Sequence, residues 1–381
     1  MTFIPYGKQC IDQEDIRSVI AVLESDWLTQ GPTIKQFEQD FSKKVGSRYA
    51  IAVANGTAAL HLSLLALGVG PGDEVITTPN SFLATTNAIL YAGATPVFVD
   101  IETQRFGIDA TQIEAAITAE TKAILPVHFA GFPVDLSSIY DIADKYNLKI
   151  IEDSCHALAA NYRDSVIGDC QYSACATFSF HPVKHIATGE GGMITTNDEA
   201  MYEKLTTLRT HGVSKNPKNV KQNPGPWYYE MQTLGFNYRM TDMQAALGIS
   251  QLKKLDGFVT RRRDIAKNYD AALAELDWIN PIIEQTANLS SYHLYVVQIN
   301  FDKIKKNRAE VMNELEEKGI GTQVHYIPII DQPYYRENVR VKGDFANCRL
   351  YYEQALSLPI YPLMSDEDIE RVLQAVKALM A

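Results

Sequence analysis

Lys184 is the residue whose setting first points to chemistry. It stands in Phe178-Ser179-Phe180-His181-Pro182-Val183-Lys184-His185-Ile186-Ala187-Thr188-Gly189-Glu190-Gly191-Gly192. The run Cys175-Ala176-Thr177-Phe178 before it and Met193-Ile194-Thr195-Thr196 after it both read as strands. A lysine held between two strand ends by close-turning glycines is partly desolvated, which lowers its pKa and frees the lone pair for attack. Such an amine can form a Schiff base with a carbonyl, and pyridoxal phosphate is the common carbonyl cofactor that uses one. The alternative is a lysine snorkelling at a strand end. On Lys184 alone the two readings are level.

Pyridoxal phosphate needs further groups. A carboxylate must keep its ring nitrogen protonated. Asp153 follows the apolar Ile150-Ile151, at the carboxyl end of a predicted parallel strand, where open α/β sheets bind ligands. It is assigned to that nitrogen; the competing reading is an aspartate capping the next turn. His156 is placed to hydrogen-bond the cofactor's phenolic oxygen, with a structural histidine as the alternative. The phosphate needs amides at a helix start. Gly56 and Thr57 supply them where the strand Ala50–Ala54 turns into an Ala/Leu-rich helix, and Ser179 is a further phosphate ligand. Phe82, after the strand Glu74–Thr78, is the candidate for stacking on the ring, against a default reading as core.

The order NGTAAL, SFLAT, EDSCHAL, SFHPVKHIATGEGG, GFNYRMTDMQAALG resembles the DegT/DnrJ/EryC1/StrS sugar aminotransferases over nearly the whole chain. The resemblance implies aspartate-aminotransferase fold type I: a large, mostly parallel α/β domain with a small α+β C-terminal domain. It places Lys184 at the family's catalytic lysine, where some relatives carry histidine and act as dehydratases. It implies L-glutamate as amino donor, a nucleotide sugar as acceptor, and a homodimer in which Asn237 reaches the neighbouring subunit's phosphate. It puts Thr29 beside the sugar pocket, and His325 with Tyr326 near the nucleotide diphosphate. Within the family, Trp27–Gly31, Ser291–Tyr295 and Gln323–Tyr326 resemble the C4 aminotransferases of pseudaminic acid biosynthesis, which act on a UDP-linked 4-keto-6-deoxy-N-acetyl-L-altrosamine sugar. A dTDP- or UDP-linked keto sugar of another configuration is the rival substrate. A relative that binds cofactor or sugar without transamination, as dehydratase or regulator, is the rival of another class.

The rest of the chain must position these groups. Its 381 residues suggest two domains. The expected division is an arm and first helix over 1–32, a large cofactor-binding domain over 33–250, and an interdomain helix with the small domain over 251–381. A composition 46% hydrophobic and 21% charged is globular. A net charge of -11 disfavours a nucleic-acid partner. No apolar run is long enough to span a bilayer. The five cysteines form no C-x-x-C pair, which argues against a zinc site and for reduced thiols in the cytoplasm; no metal is expected. Strands are predicted at 50–54, 74–78, 95–99, 123–127, 149–152, 173–179 and 193–196, alternating with helices, the pattern of a mostly parallel sheet covered on both faces. Further strands are predicted at 292–299 and 321–328. A helix over Arg308–Lys318 should stop at Gly319. Arg261-Arg262-Arg263 reads as a solvated helix face, with a phosphate contact as the lesser reading. Residues 212–226 read as a surface loop or a substrate flap.

Overall fold

The computed structural model describes residues 2–380 except 217, 218, 223, 285 and 286. Helices α1 (Gln13–Leu23) and α2 (Pro32–Val45) lead into β1 (Tyr49–Val53). Helix α3 (Gly56–Ala66), β2 (Glu74–Thr77), α4 (Leu83–Tyr91) and β3 (Thr95–Phe98) follow. β4 (Thr121–Leu125), β5 (Lys149–Asp153), β6 (Cys175–Ser179) and β7 (Gly192–Thr196) complete a seven-stranded sheet in the order β1-β7-β6-β5-β4-β2-β3. Six strands run parallel and β7 runs against both its neighbours.

This topology sets the position of every group at the carboxyl edge. β1, β5 and β6 share a direction, so the residues just past them, Asn55-Gly56, Ser154-Cys155 and Phe180-His181, gather along one edge. Because β7 reverses and pairs Gly192 with Ser179, the chain between β6 and β7 never leaves that edge. Lys184 lies in this hairpin. Gly192 is required there: a Cβ on it would come within 2.5 Å of the Asn55 carbonyl oxygen, so only glycine lets β7 begin beside the start of α3. Helix α3 is buried on nearly all sides, and its small residues allow the approach.

The helix Asp242–Leu273 starts with a capping box between Thr241 and Gln244, which satisfies orphan donors at its first turn. Its Leu252, Leu255 and Val259 join the apolar cluster of Phe37, Phe41, Phe178 and Phe180. Farther along, Ile265, Tyr269 and Leu273 join a second cluster with Trp278 and Tyr295. One helix therefore enters two cores. The C-terminal third forms an antiparallel sheet of Ile279–Pro281, Tyr295–Ile299 and Ala355–Leu358, flanked by Arg308–Glu317, Ala346–Gln354 and Asp366–Lys377. Gly319 takes a φ of 78° past the first of these, as its position predicts.

Two expectations fail here. Residues 321–328 do not form a strand; Gln323 makes one bridge to Ser357 and the chain then crosses the cleft. Its side chains bond to other elements instead, His325 to Ser357 and Tyr326 to His156. The arginine run is no solvated face. Arg262 is buried and donates to the carbonyls of Tyr292, His293 and Ile360 at 2.8–3.2 Å. Arg263 donates to the carbonyls of Ser290 and Ala159. Of residues 212–226, positions 217, 218 and 223 lie outside the described residues; Val213–Ser214 pairs with Glu230–Met231 in a short hairpin.

Candidate active site

A cavity of about 660 Å³ opens at the carboxyl edge of the large sheet. Lys184, Asp153, His156, Gly56, Thr57 and Ser179 line it, and so do Phe82, His325 and Tyr326. The lysine and the acid, 31 residues apart in sequence, thus open into one space. Burial pushes the Lys184 amine below its ordinary pKa, opposed by the neighbouring charge of Asp153. Asp153 is buried, and its carboxylate accepts the Thr85 hydroxyl at 2.7 Å and the Cys155 amide at 3.2 Å. The Ser81 hydroxyl lies 2.7 Å from that of Thr85, so the carboxylate is held in a short polar chain.

The start of α3 forms the opposite wall. Asn55 caps the amide of Ala58, and Gly56 and Thr57 are the first helical residues. A Cβ on Gly56 would lie 2.9 Å from the Ser179 Cβ, so glycine keeps this end of the cavity open. Phe82 is 57% exposed at the N-cap of α4, with its ring 6.0 Å from that of Tyr326. It faces the cavity instead of the core.

His156 departs from the expected role. Its Nδ1 accepts the Ala130 amide at 3.3 Å, and the Tyr326 hydroxyl lies 3.2 Å from its Nε2. With Nδ1 an acceptor, the ring proton sits on Nε2 and is donated to Tyr326. The imidazole therefore has no nitrogen left for a phenolic oxygen. Burial, aided by Asp153, pushes the Tyr326 phenol up, and its own hydrogen remains to be donated. His325 bonds through Nδ1 to the Ser357 hydroxyl at 2.8 Å.

Two candidates lie elsewhere. Thr29 is exposed and bridges Thr241 at the head of the long helix; Asn237 is exposed and bridges Thr210. Neither is among the residues lining this cavity within one chain. Sequence reasoning in turn missed His293, whose Nε2 lies 3.3 Å from Lys184 Nζ. It was legible only as part of a predicted strand at 292–299 and of the Ser291–Tyr295 segment of the family resemblance, neither of which pointed to the lysine; the strand begins at Tyr295 and leaves His293 in the approach to it. Tyr6, from the N-terminal arm, also lines the cavity.

The cavity thus offers a depressed amine, a held carboxylate, a helix start cleared by glycine and an exposed phenyl ring. Each matches one part of pyridoxal phosphate: aldehyde, ring nitrogen, phosphate and ring face. Comparison with known proteins is decisive about ancestry. The model of the DegT/DnrJ/EryC1/StrS aminotransferase family matches residues 9–377. The chain belongs to that family. It is a sugar aminotransferase with pyridoxal phosphate as its cofactor. The spore coat polysaccharide biosynthesis protein SpsC of Bacillus subtilis is 43% identical over 99% of this chain and 97% of its own length. Among solved structures, Helicobacter pylori PseC, an aminotransferase of pseudaminic acid biosynthesis, matches with a TM-score of 0.92 and 31% identity, over 100% of this chain and 99% of that one. The putative sugar aminotransferase Spr1654 of Streptococcus pneumoniae, in its PMP-form, matches with a TM-score of 0.92 and 31% identity over 99% of each chain. No helix among the described residues is long and apolar enough to cross a membrane.

Four buried histidines surround the lysine. Burial is the first cause in each case: His156, His185 and His293 are held well below the usual imidazole range, and His325 is lowered to about 3. Folded, these rings stay neutral; unfolded, they protonate near ~6.5. Their contribution to stability is therefore complete above that pH and is lost as pH falls toward the depressed folded values. Each group removes up to about 1.4 kcal/mol per pH unit. Urea denaturation should show a loss of several kcal/mol between about pH 7.5 and about pH 5.5. Equal stability at the two would contradict the neutral cluster.

Proposed function

We propose that the protein moves the amino group of L-glutamate to C4 of a UDP-linked 4-keto-6-deoxy-N-acetylhexosamine, UDP-4-keto-6-deoxy-L-AltNAc, in pseudaminic acid biosynthesis. The observation that carries the reading is the meeting of Lys184, Asp153 and the start of α3 in one cavity. The likeness to PseC and the segments around Thr29, His293 and His325 support the choice of sugar. The protein works as a homodimer in this reading, each chain's exposed Asn237 reaching the phosphate held by the other.

When bound, pyridoxal phosphate supplies an aldehyde that takes up an amine and a ring that takes up electrons from a breaking C–H bond. The residues of the chain do the rest. Gly56 and Thr57 offer amides, and Ser179 a hydroxyl, to the phosphate. Phe82 covers one face of the ring. Asp153, oriented by Thr85, holds a proton on the ring nitrogen. Lys184 Nζ would hold the cofactor through its aldehyde carbon and, when free, would serve as the base that takes the proton from the donor's α-carbon. Tyr326, oriented by His156, would have a hydroxyl hydrogen to donate to the phenolic oxygen, the task the sequence alone gave to His156. His325 and Tyr326 border the sugar nucleotide.

The test is a panel of keto-sugar nucleotides offered with L-glutamate to the purified protein. The expected result is amination of the UDP-linked L-altrosamine derivative in preference to the others. Preference for a dTDP-linked sugar would overturn the choice of substrate and leave transamination standing. No conversion of the bound cofactor to its amine form by glutamate would overturn transamination itself.

A further inference from the structure

Among the described residues, the side chain in hydrogen-bond contact with Lys184 Nζ is His293, at 3.3 Å from Nε2. It is not a surface histidine that happens to reach inward. The ring is buried, packed 4.3 Å from His156 and 5.6 Å from His185 between centroids. Its Nδ1 is buried with no hydrogen-bond partner among the described residues. Its backbone is fixed as well, because Arg262 donates to the carbonyls of both Tyr292 and His293. A buried ring with one orphaned nitrogen and a pinned backbone, aimed at the amine, is poorly explained by packing. An apolar residue would fill the same space without leaving a polar atom unpaired.

We propose that His293 is a positioning residue for Lys184: its Nε2 accepts a hydrogen bond from Nζ, fixing the direction of the amine and the pH at which it gives up its proton. The proposal rests on Lys184 being the lysine that bonds the cofactor. Lysine carries a flexible four-carbon stem, so a fixed acceptor is what selects one placement of Nζ. Two basic groups in contact within a buried cluster do not both carry an extra proton. When the pair holds one, it sits on Lys184 and Nζ donates to the unprotonated Nε2. When that proton leaves to water, the lone pair of Nζ is free to bond the aldehyde carbon, whose oxygen would leave as water together with the two remaining hydrogens of Nζ.

The groups facing the pair come from every element around it. Asp153 and Cys155 lie at the end of β5, with His156 just beyond. His185 adjoins the lysine in the hairpin, His325 comes from the segment crossing the cleft, and Arg262 comes from the long helix. Asp153 favours the protonated lysine, whereas the imidazoles and Arg262 oppose a second proton on the pair. With those fixed, removing the acceptor at Nε2 withdraws one support from the ammonium form and moves its titration to lower pH.

The experiment uses the full chain stripped of cofactor and follows capture of added pyridoxal phosphate by absorbance as a function of pH. Wild type, His293→Leu and His293→Gln are compared. Capture rises as Lys184 loses its proton, so the midpoint of the profile reports that loss. In His293→Leu the midpoint should fall by about one pH unit and the plateau rate should also fall, since Nζ is no longer aimed. His293→Gln, whose amide oxygen accepts a hydrogen bond, should bring the midpoint back toward wild type. A ring needed only for packing would change stability and leave the midpoint alone, so equal midpoints in all three proteins overturn the proposal. If circular dichroism shows that His293→Leu does not fold, His293→Met read against His293→Gln decides in the same way. Equal midpoints with normal capture would leave the aminotransferase reading intact, whereas a wild-type chain that captures no cofactor at any pH would overturn both.

Discussion

Lys184→Ala should abolish the absorbance of protein-bonded cofactor and lower transamination by roughly 10⁴-fold or more. Two functions are lost together: the tether, and the group that carries the proton from the donor's α-carbon. The surroundings offer no replacement. His293 and His156 are neutral and strongly disfavour protonation in place, Cys155 is held in its thiol form by burial and by Asp153, and Asp153 is committed to Thr85 and the Cys155 amide. Cofactor should still enter, because the helix start and the carboxylate are untouched. The measurement is single-turnover conversion with glutamate, read alongside the absorbance spectrum. Turnover within tenfold of wild type would sink the assignment of the lysine.

Asp153→Asn should do the opposite: keep the bond to Lys184 and slow the chemistry. Asparagine matches the shape and can still accept from the Thr85 hydroxyl, but it carries no negative charge for the ring nitrogen. Removing one preorganised electrostatic partner of a developing charge costs on the order of 10²–10³ in kcat. The loss should fall mainly on kcat, with KM for glutamate changed little, since the charge matters most when the C–H bond breaks. Steady-state kinetics with glutamate separates the two. A variant with unchanged kcat would mean that Asp153 serves the fold alone.

The parts of this site that were legible in the sequence share one property: each is carried by a short local pattern. The hairpin around Lys184 announces itself through apolar runs on both sides of a glycine-rich turn. Asp153 stands at the end of a β-branched strand, and Gly56 and Thr57 stand where a strand becomes an Ala-rich helix. The seven strands of the large sheet were equally readable, because parallel strands covered on both faces are nearly continuous apolar runs. What escaped depends on contacts between remote segments. His293 has no local signal, since its role comes from Lys184, 109 positions away. The histidine in EDSCHAL could be placed in the site, but Tyr326 and Ala130 occupy its ring nitrogens, and no spacing encodes that. Residues 321–328 carry strand-like composition, yet their partners are side chains across the cleft. Thr29 and Asn237 sit outside the single-chain cavity; both came from resemblance rather than from any pattern of their own.

Arg262 gathers three carbonyls from two segments that are otherwise far apart in the chain, residues 292–293 and residue 360. A hybrid protein that joined this sheet to the C-terminal third of a relative would therefore inherit a hidden compatibility requirement. The grafted third would have to hold its main-chain carbonyls where residues 292, 293 and 360 hold theirs. Junctions placed between the long helix and position 292 should yield poorly soluble chimeras wherever those carbonyls are displaced, even when each half is intact.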